Sequence, residues 1–399
     1  MAETTHEFGT GWRFVAGAFL GIAGGFASLY FYTAGLFLKP VAHEFGWSRG
    51  EASLGSIAIL VGNVIALPIA GRLVDRFGEV RVAFLSSIAL GISFFLLGAL
   101  TFNLTTYLAL ILLLTMSSAG TNAVAYNRVI VRHFVKQRGL ALGIALTGTG
   151  VGAALVPAYL APYIVEAGWR AGYYVLGAIS LPLSFLAAAM LLERKRGLPP
   201  ERAPAASWSS IWRHPAFATI GGLIFLSSSA VLGTTMHVVS MLTDGGMTVA
   251  HAGAIASILG ISVIFGRVFT GYLLDRLDAG AVTAVLLLLS AAGMVMLWSS
   301  TPILVVPGAI LVGLGVGTEG DLLAYLLGRR FPVASFGSVY GAIFAVHAFG
   351  GGLGGFLAGL FFDWSGSYAI WLAFAAVQLI GAATIALLTE RNIDRTLQV

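Results

Sequence analysis

Apolar runs of about twenty residues recur twelve times along this 399-residue chain. A run of that length, wound as a helix, matches the hydrocarbon thickness of a bilayer. The runs fall at 12–38, 50–72, 80–101, 104–131, 138–164, 169–192, 215–243, 249–274, 280–300, 302–329, 337–362 and 367–389. Lipid offers the backbone no hydrogen-bond partners, so each run must satisfy its own N–H and C=O groups as a helix. A transmembrane barrel would instead alternate over about ten residues. The predicted fold is an all-α membrane protein with twelve transmembrane helices.

Composition supports this reading. Charged residues make up 10% of the chain and hydrophobic residues 58%, whereas soluble domains carry about 25% charge. A water-soluble enzyme, a disordered chain and a nucleic-acid binder are excluded. The chain has no Cys, which removes disulfides, zinc–thiolate sites, iron–sulfur clusters and Cys nucleophiles. No cofactor or metal is expected. Residues 1–11 carry neither a basic n-region nor a cleavage site, so the first run reads as a retained helix.

Basic residues set the orientation. The longest gap, 193–214, carries Arg194, Lys195, Arg196, Arg202 and Arg213. With that gap and both termini cytoplasmic, all but four of the 22 basic residues fall on the inside. The four are Lys39, Arg49, Arg170 and Arg267, the last within a span. The excess of Arg over Lys points to a GC-rich bacterial genome, hence to the bacterial cytoplasmic membrane. The Pro, Ala and Ser content of the same gap marks a linker. The expected domains are a six-helix bundle over 1–192, a linker over 193–214 and a second six-helix bundle over 215–399.

The bundles repeat one another. Gly71-Arg-Leu-Val-Asp75-Arg76 follows the second run, and Gly271-Tyr-Leu-Leu-Asp275-Arg276 follows the eighth. A repeat of this kind places a binding site near the midplane where the repeats meet. Two six-helix halves with this motif after the second and eighth helices resemble the major facilitator superfamily. In that family the motif latches the cytoplasmic side while the carrier is open outward. The resemblance implies gating roles for Asp75, Arg76, Asp275 and Arg276, with Arg128 or Arg132 as partner of Asp75 and Arg329 as partner of Asp275.

The fifth run opens with His133-Phe134-Val-Lys136-Gln-Arg138-Gly139-Leu140-Ala141-Leu-Gly143-Ile-Ala145-Leu-Thr147-Gly148. This resembles the fifth-helix signature of monocarboxylate transporters and their oxalate–formate exchanger relatives. The resemblance implies that Arg267 in the eighth run binds an anion. Animal members have an Asp one turn earlier, where this chain has Val263. A counter-charge for Arg267 must then come from another helix.

An ionisable group inside a bilayer costs at least about 2.5–3.5 kcal/mol, so each needs a partner or a wet cavity. Arg267 is read as a two-pronged clamp for a substrate carboxylate, or else as half of a structural ion pair. Glu319 and Asp321 in the tenth run are the candidate proton carriers. Residues two apart point in different directions, so one of them faces Arg267. The repeat maps Asn122 onto Asp321 and Tyr126 onto Tyr325, which favours Asp321. Asn122, Tyr126 and Tyr325 are candidates to bind substrate, or to hold helices together by polar contacts. His347 stands where the oxalate–formate exchangers carry a Lys, and reads as a titratable cation suited to a monoanion, or as a packing residue. His237, Asn63 and Tyr30 complete the candidate lining.

The expected function is a secondary transporter that moves a lactate- or pyruvate-like monocarboxylate with a proton, as a monomer. Its partners are the organic anion, the proton and the lipid bilayer, with no nucleic acid. The alternative is a carboxylate exchanger without proton coupling. An intramembrane enzyme lacks its motifs here, since H-E-x-x-H and the phosphate loop are both absent.

Overall fold

The computed structural model describes residues 7–47, 49–192, 213, 215–299 and 302–396. Regular structure among the described residues is entirely helical. The helices are α1 (Glu7–Ala23), α2 (Ala34–Phe45), α3 (Arg49–Phe77), α4 (Glu79–Leu100), α5 (Leu104–Ser117), α6 (Ala123–His133) and α7 (Arg138–Ala167). They continue as α8 (Trp169–Leu191), α9 (Pro215–Asp244), α10 (Val249–Leu274), α11 (Ala279–Trp298), α12 (Pro302–Arg330), α13 (Phe336–Ser365) and α14 (Ala369–Thr396). Eleven described helices are long and apolar enough to cross a membrane. The bent pair formed by α5 and α6, 47° apart, makes twelve if counted as one span. The all-α membrane architecture read from the sequence is the observed one.

The chain gathers into two compact units. Unit one comprises Met1–Lys136, Ile144–Ala206 and Phe331–Ala345; unit two comprises Gln137–Gly143, Ser207–Arg330 and Val346–Val399. The opening turns of α7 therefore group with unit two, and those of α13 with unit one. The linker expected over 193–214 lies outside the described residues, apart from Arg213.

Unit one is held by an aromatic core. Phe37 stacks on Tyr173 at 3.9 Å between centroids, and Tyr30 packs on Phe26 and Phe94. Trp169 donates to Glu44 at 2.7 Å beside this core. Two of its turns are single glycines: Gly78 joins α3 to α4 and Gly168 joins α7 to α8. Their φ values of 89° and 85° are steeply disfavoured for a residue with a Cβ. Two helices of this unit are interrupted at the same place. The π-turn Ala27–Phe31 follows the break after α1, and the 3₁₀ turn Ala119–Thr121 separates α5 from α6. The breaks bond to each other, with the Phe26 N–H donating to Thr121 Oγ1 at 3.0 Å. The break after α1 frees the Phe26 N–H, and the break between α5 and α6 supplies its partner.

Unit two is closed by small residues. A Cβ on Gly317 of α12 would press on the Val263 carbonyl and the Arg267 nitrogen of α10. One turn along, Thr270 and Thr318 hydrogen-bond across the same pair of helices at 3.0 Å. Close backbone approach through glycine and a hydroxyl bridge is how membrane helices associate without a hydrophobic driving force. These contacts fix the register that brings α12 side chains beside Arg267.

Candidate substrate and coupling site

Arg267 of α10, Glu319 of α12, His347 of α13 and Ser227 of α9 form one polar cluster inside unit two. Glu319 is buried, with 3% exposure. Its Oε2 lies 3.6 Å from Nδ1 of His347. The Ser227 hydroxyl and the Arg267 guanidinium are its other polar neighbours. Arg267 also acts electrostatically on His347. The cluster thus holds one permanent cation, one carboxyl and one imidazole. Among the described side chains, the carboxyl on which Arg267 acts electrostatically is Glu319, on another helix. The repeat had pointed to Asp321, whose side chain lies outside the described residues.

The two motif aspartates do a different job from a simple ion pair. In unit one, Asp75 at the end of α3 accepts the N–H groups of Gly337 (2.9 Å) and Ser338 (2.6 Å), which open α13. Arg128 reaches Asp75 at 3.2 Å, while Arg132 pairs with Glu79 at 3.2 Å. In unit two, Asp275 accepts the N–H groups of Gly139 (2.7 Å) and Leu140 (2.9 Å), which open α7. Both carboxylates therefore cap the start of a distant helix, where free N–H groups and the helix dipole favour an anion. Gly71 lies against Gly337, and Gly271 against Gly139, so closely that a Cβ has no room. Arg329, expected on Asp275, lies over the Tyr325 ring at 5.8 Å. Arg76 and Arg276 are exposed and lie over Phe77 and Tyr272.

The remaining candidates are placed as follows. Tyr126 is buried, its ring against Gly21 and its hydroxyl beside Ser87. Tyr325 donates its hydroxyl to the Leu274 carbonyl at 2.5 Å, tying α12 to α10. Tyr30 is enclosed in the aromatic core, with Tyr107 and Tyr173 at its hydroxyl. Asn122 stands before α6 and donates to Ala119 at 3.4 Å. Asn63 is half-buried on α3, and its Oδ1 accepts no hydrogen bond from the described residues. His237 places Nε2 at 2.9 Å from the Gly355 carbonyl and Nδ1 at 3.2 Å from the Tyr368 hydroxyl. With both ring nitrogens engaged, His237 ties α9 to α13. For Tyr30, Tyr126, Tyr325 and His237 these helix contacts account for the side chain.

The helical architecture and its paired units define a membrane carrier, and the comparisons supply the family. The Major Facilitator Superfamily model matches residues 20–354 and 218–397, and the chain belongs to that superfamily. It is accordingly an integral membrane transporter and not an enzyme. It is 25% identical to bovine (Bos taurus) monocarboxylate transporter 13 over 388 residues, covering 94% of this chain and 88% of that one. It is 26% identical to human (Homo sapiens) monocarboxylate transporter 11 over 381 residues, covering 90% of this chain and 79% of that one. The E. coli fucose:proton symporter FucP shares the fold, with a TM-score of 0.75 at 15% identity over 94% of this chain and 96% of that one.

Proposed function

We propose that the protein carries a small monocarboxylate, of lactate or pyruvate type, together with a proton. The observation that carries this reading is the burial of Glu319 beside Arg267 and His347. Arg267 holds a fixed positive charge, and two carboxylates compete for it. When the site is empty, ionised Glu319 neutralises Arg267. When substrate enters, its carboxylate takes the guanidinium in a bidentate grip. Glu319 then becomes a buried carboxylate without a counter-ion, an expensive state unless it takes a proton. Anion entry is thereby tied to proton entry, and a single guanidinium matches a monoanion. Similarity to monocarboxylate transporters 11 and 13 favours the same substrate class.

In this reading the Asp75 and Asp275 helix caps form and break during the alternating-access cycle. The distribution of basic residues supports placing both termini and the α3–α4 turn on the cytoplasmic side, and the excess of Arg over Lys supports a bacterial membrane. The working unit is a monomer.

The test is uptake of labelled lactate into proteoliposomes with and without an inward proton gradient, for wild type, Arg267→Ala and Glu319→Gln. The expected result is gradient-driven uptake in wild type, none in Arg267→Ala, and exchange without gradient stimulation in Glu319→Gln. Gradient stimulation that survives Glu319→Gln would overturn coupling through Glu319. Exchange of carboxylates with no response to a proton gradient in wild type would establish the exchanger reading instead.

A further inference from the structure

We propose that His347 is the gateway through which the proton reaches Glu319, and not a second cation for the substrate. The inference rests on the symport reading above. Glu319 is sealed from water at 3% exposure, whereas the His347 side chain keeps 17%. Of the two side chains the imidazole is the more accessible. His347 points Nδ1 at Glu319 Oε2 from 3.6 Å. That is too long for a hydrogen bond, and a side-chain shift of under about 1 Å closes it.

The other neighbour, Ser227, lies 3.2 Å from the Ile224 carbonyl and is set beside Glu319 as a hydroxyl donor, a group with no basic nitrogen to take up a proton from water. Among the described residues the charged group set against the pair is Arg267 from α10; α9 contributes the neutral Ser227. Arg267 already supplies the fixed cation that a substrate carboxylate needs, which leaves the imidazole for the proton.

The step balances simply. Water on the open side delivers a proton to the imidazole. The Nδ1–H bond breaks as the Glu319 O–H bond forms, which leaves the ring neutral and the carboxyl neutral. The Glu319 charge left uncompensated when the substrate carboxylate takes Arg267 is thereby removed. On the other side the same bonds form and break in reverse, and the proton leaves by the ring.

The test compares gradient-driven uptake with counterflow, which exchanges substrate without net proton movement. The variants are His347→Asn, which keeps polarity but cannot relay a proton, and His347→Ala with added free imidazole. The expected result is a loss of about tenfold or more in gradient-driven initial rate, with counterflow within about twofold of wild type. Free imidazole should restore part of the driven rate in His347→Ala, which a purely structural role would not allow. Loss of both modes together, or a driven rate within twofold of wild type in His347→Asn, would overturn the proposal. Wild type without gradient stimulation, or Glu319→Gln with it, sinks the symport reading itself before His347 is judged.

Discussion

Asp75 reaches 262 residues along the chain to accept the backbone N–H of Gly337 at 2.9 Å. The same carboxylate holds the N–H of Ser338 and the guanidinium of Arg128. It caps a helix start and neutralises a buried cation at once. Asp75→Ala should therefore cost more than a missing cap, which is worth about 1 kcal/mol. Arg128 keeps the Val74 carbonyl at 2.6 Å and Glu79 at 3.9 Å, so losing its nearer carboxylate should raise the total to about 2 kcal/mol. Thermal unfolding in detergent reads the loss. Adding Arg128→Met should recover part of it, and strict additivity of the two substitutions would refute the shared network.

Gly271 and Gly139 let α10 and α7 meet at the backbone. Gly271→Ala places a methyl on the Gly139 carbonyl. Overpacking of this kind costs about 1–3 kcal/mol, and the Asp275 cap beside it should loosen. The expected outcome is a lower unfolding temperature and a slower transport rate at unchanged substrate affinity. An unchanged rate would mean that the contact plays no part in the cycle.

Arg267→Lys separates charge from geometry. Lysine keeps the positive charge but loses the planar fork that grips a carboxylate twice. The half-saturating concentration for lactate should rise about tenfold, an effect of about 1.4 kcal/mol. Gradient dependence should persist, because Glu319 still has a cation to leave. An unaltered half-saturating concentration would show that the guanidinium does not touch substrate.

His237 was among the predicted lining residues, and its ring is spent on Gly355 and Tyr368. His237→Ala leaves that carbonyl and hydroxyl without partners, at about 1–3 kcal/mol. The unfolding temperature should fall while the substrate half-saturation stays within twofold. A rise of tenfold in half-saturation would return His237 to the site.

At the end of α2, the Arg170 guanidinium, then the Trp169 indole, hold the Glu44 carboxyl below its usual range against a small opposing cost of burial. A depressed carboxyl adds stability that is present above its unfolded value of about 4.3 and lost as pH falls through the folded value. Glu44→Gln should therefore lower the unfolding temperature at pH 7, with the gap to wild type narrowing below pH 4. The pair is exposed, so the effect should be small. A gap that widens in acid would contradict the assignment.

The span count, the repeated motif and the presence of a charge inside a span at Arg267 were legible in the sequence, because hydrophobic length and an intramembrane charge are properties of single helices. The partners were harder to read. A motif Asp can cap a helix start as well as pair with an Arg, but which helix start Asp75 and Asp275 cap is visible only in the fold, where backbone N–H groups bond both oxygens of each carboxylate. Backbone donors at a helix start have no sequence letter. Glu319 and Asp321 differ by a rotation about the helix axis, and only packing fixes that rotation. Gly317 and Thr318 set it by locking α12 on α10. Both residues precede Glu319 directly, so a small residue and a hydroxyl in that place were the available signal.

Gly78 and Gly168 have a mechanical consequence. A hairpin closed by one residue has no slack, so neither arm can slide along its axis without dragging the other. At the turn, α3 with α4, and α7 with α8, must shift together along their axes. An inserted epitope or fluorescent domain at either turn would uncouple that shift, while distance probes placed on the two residues flanking one turn should report a constant separation throughout turnover.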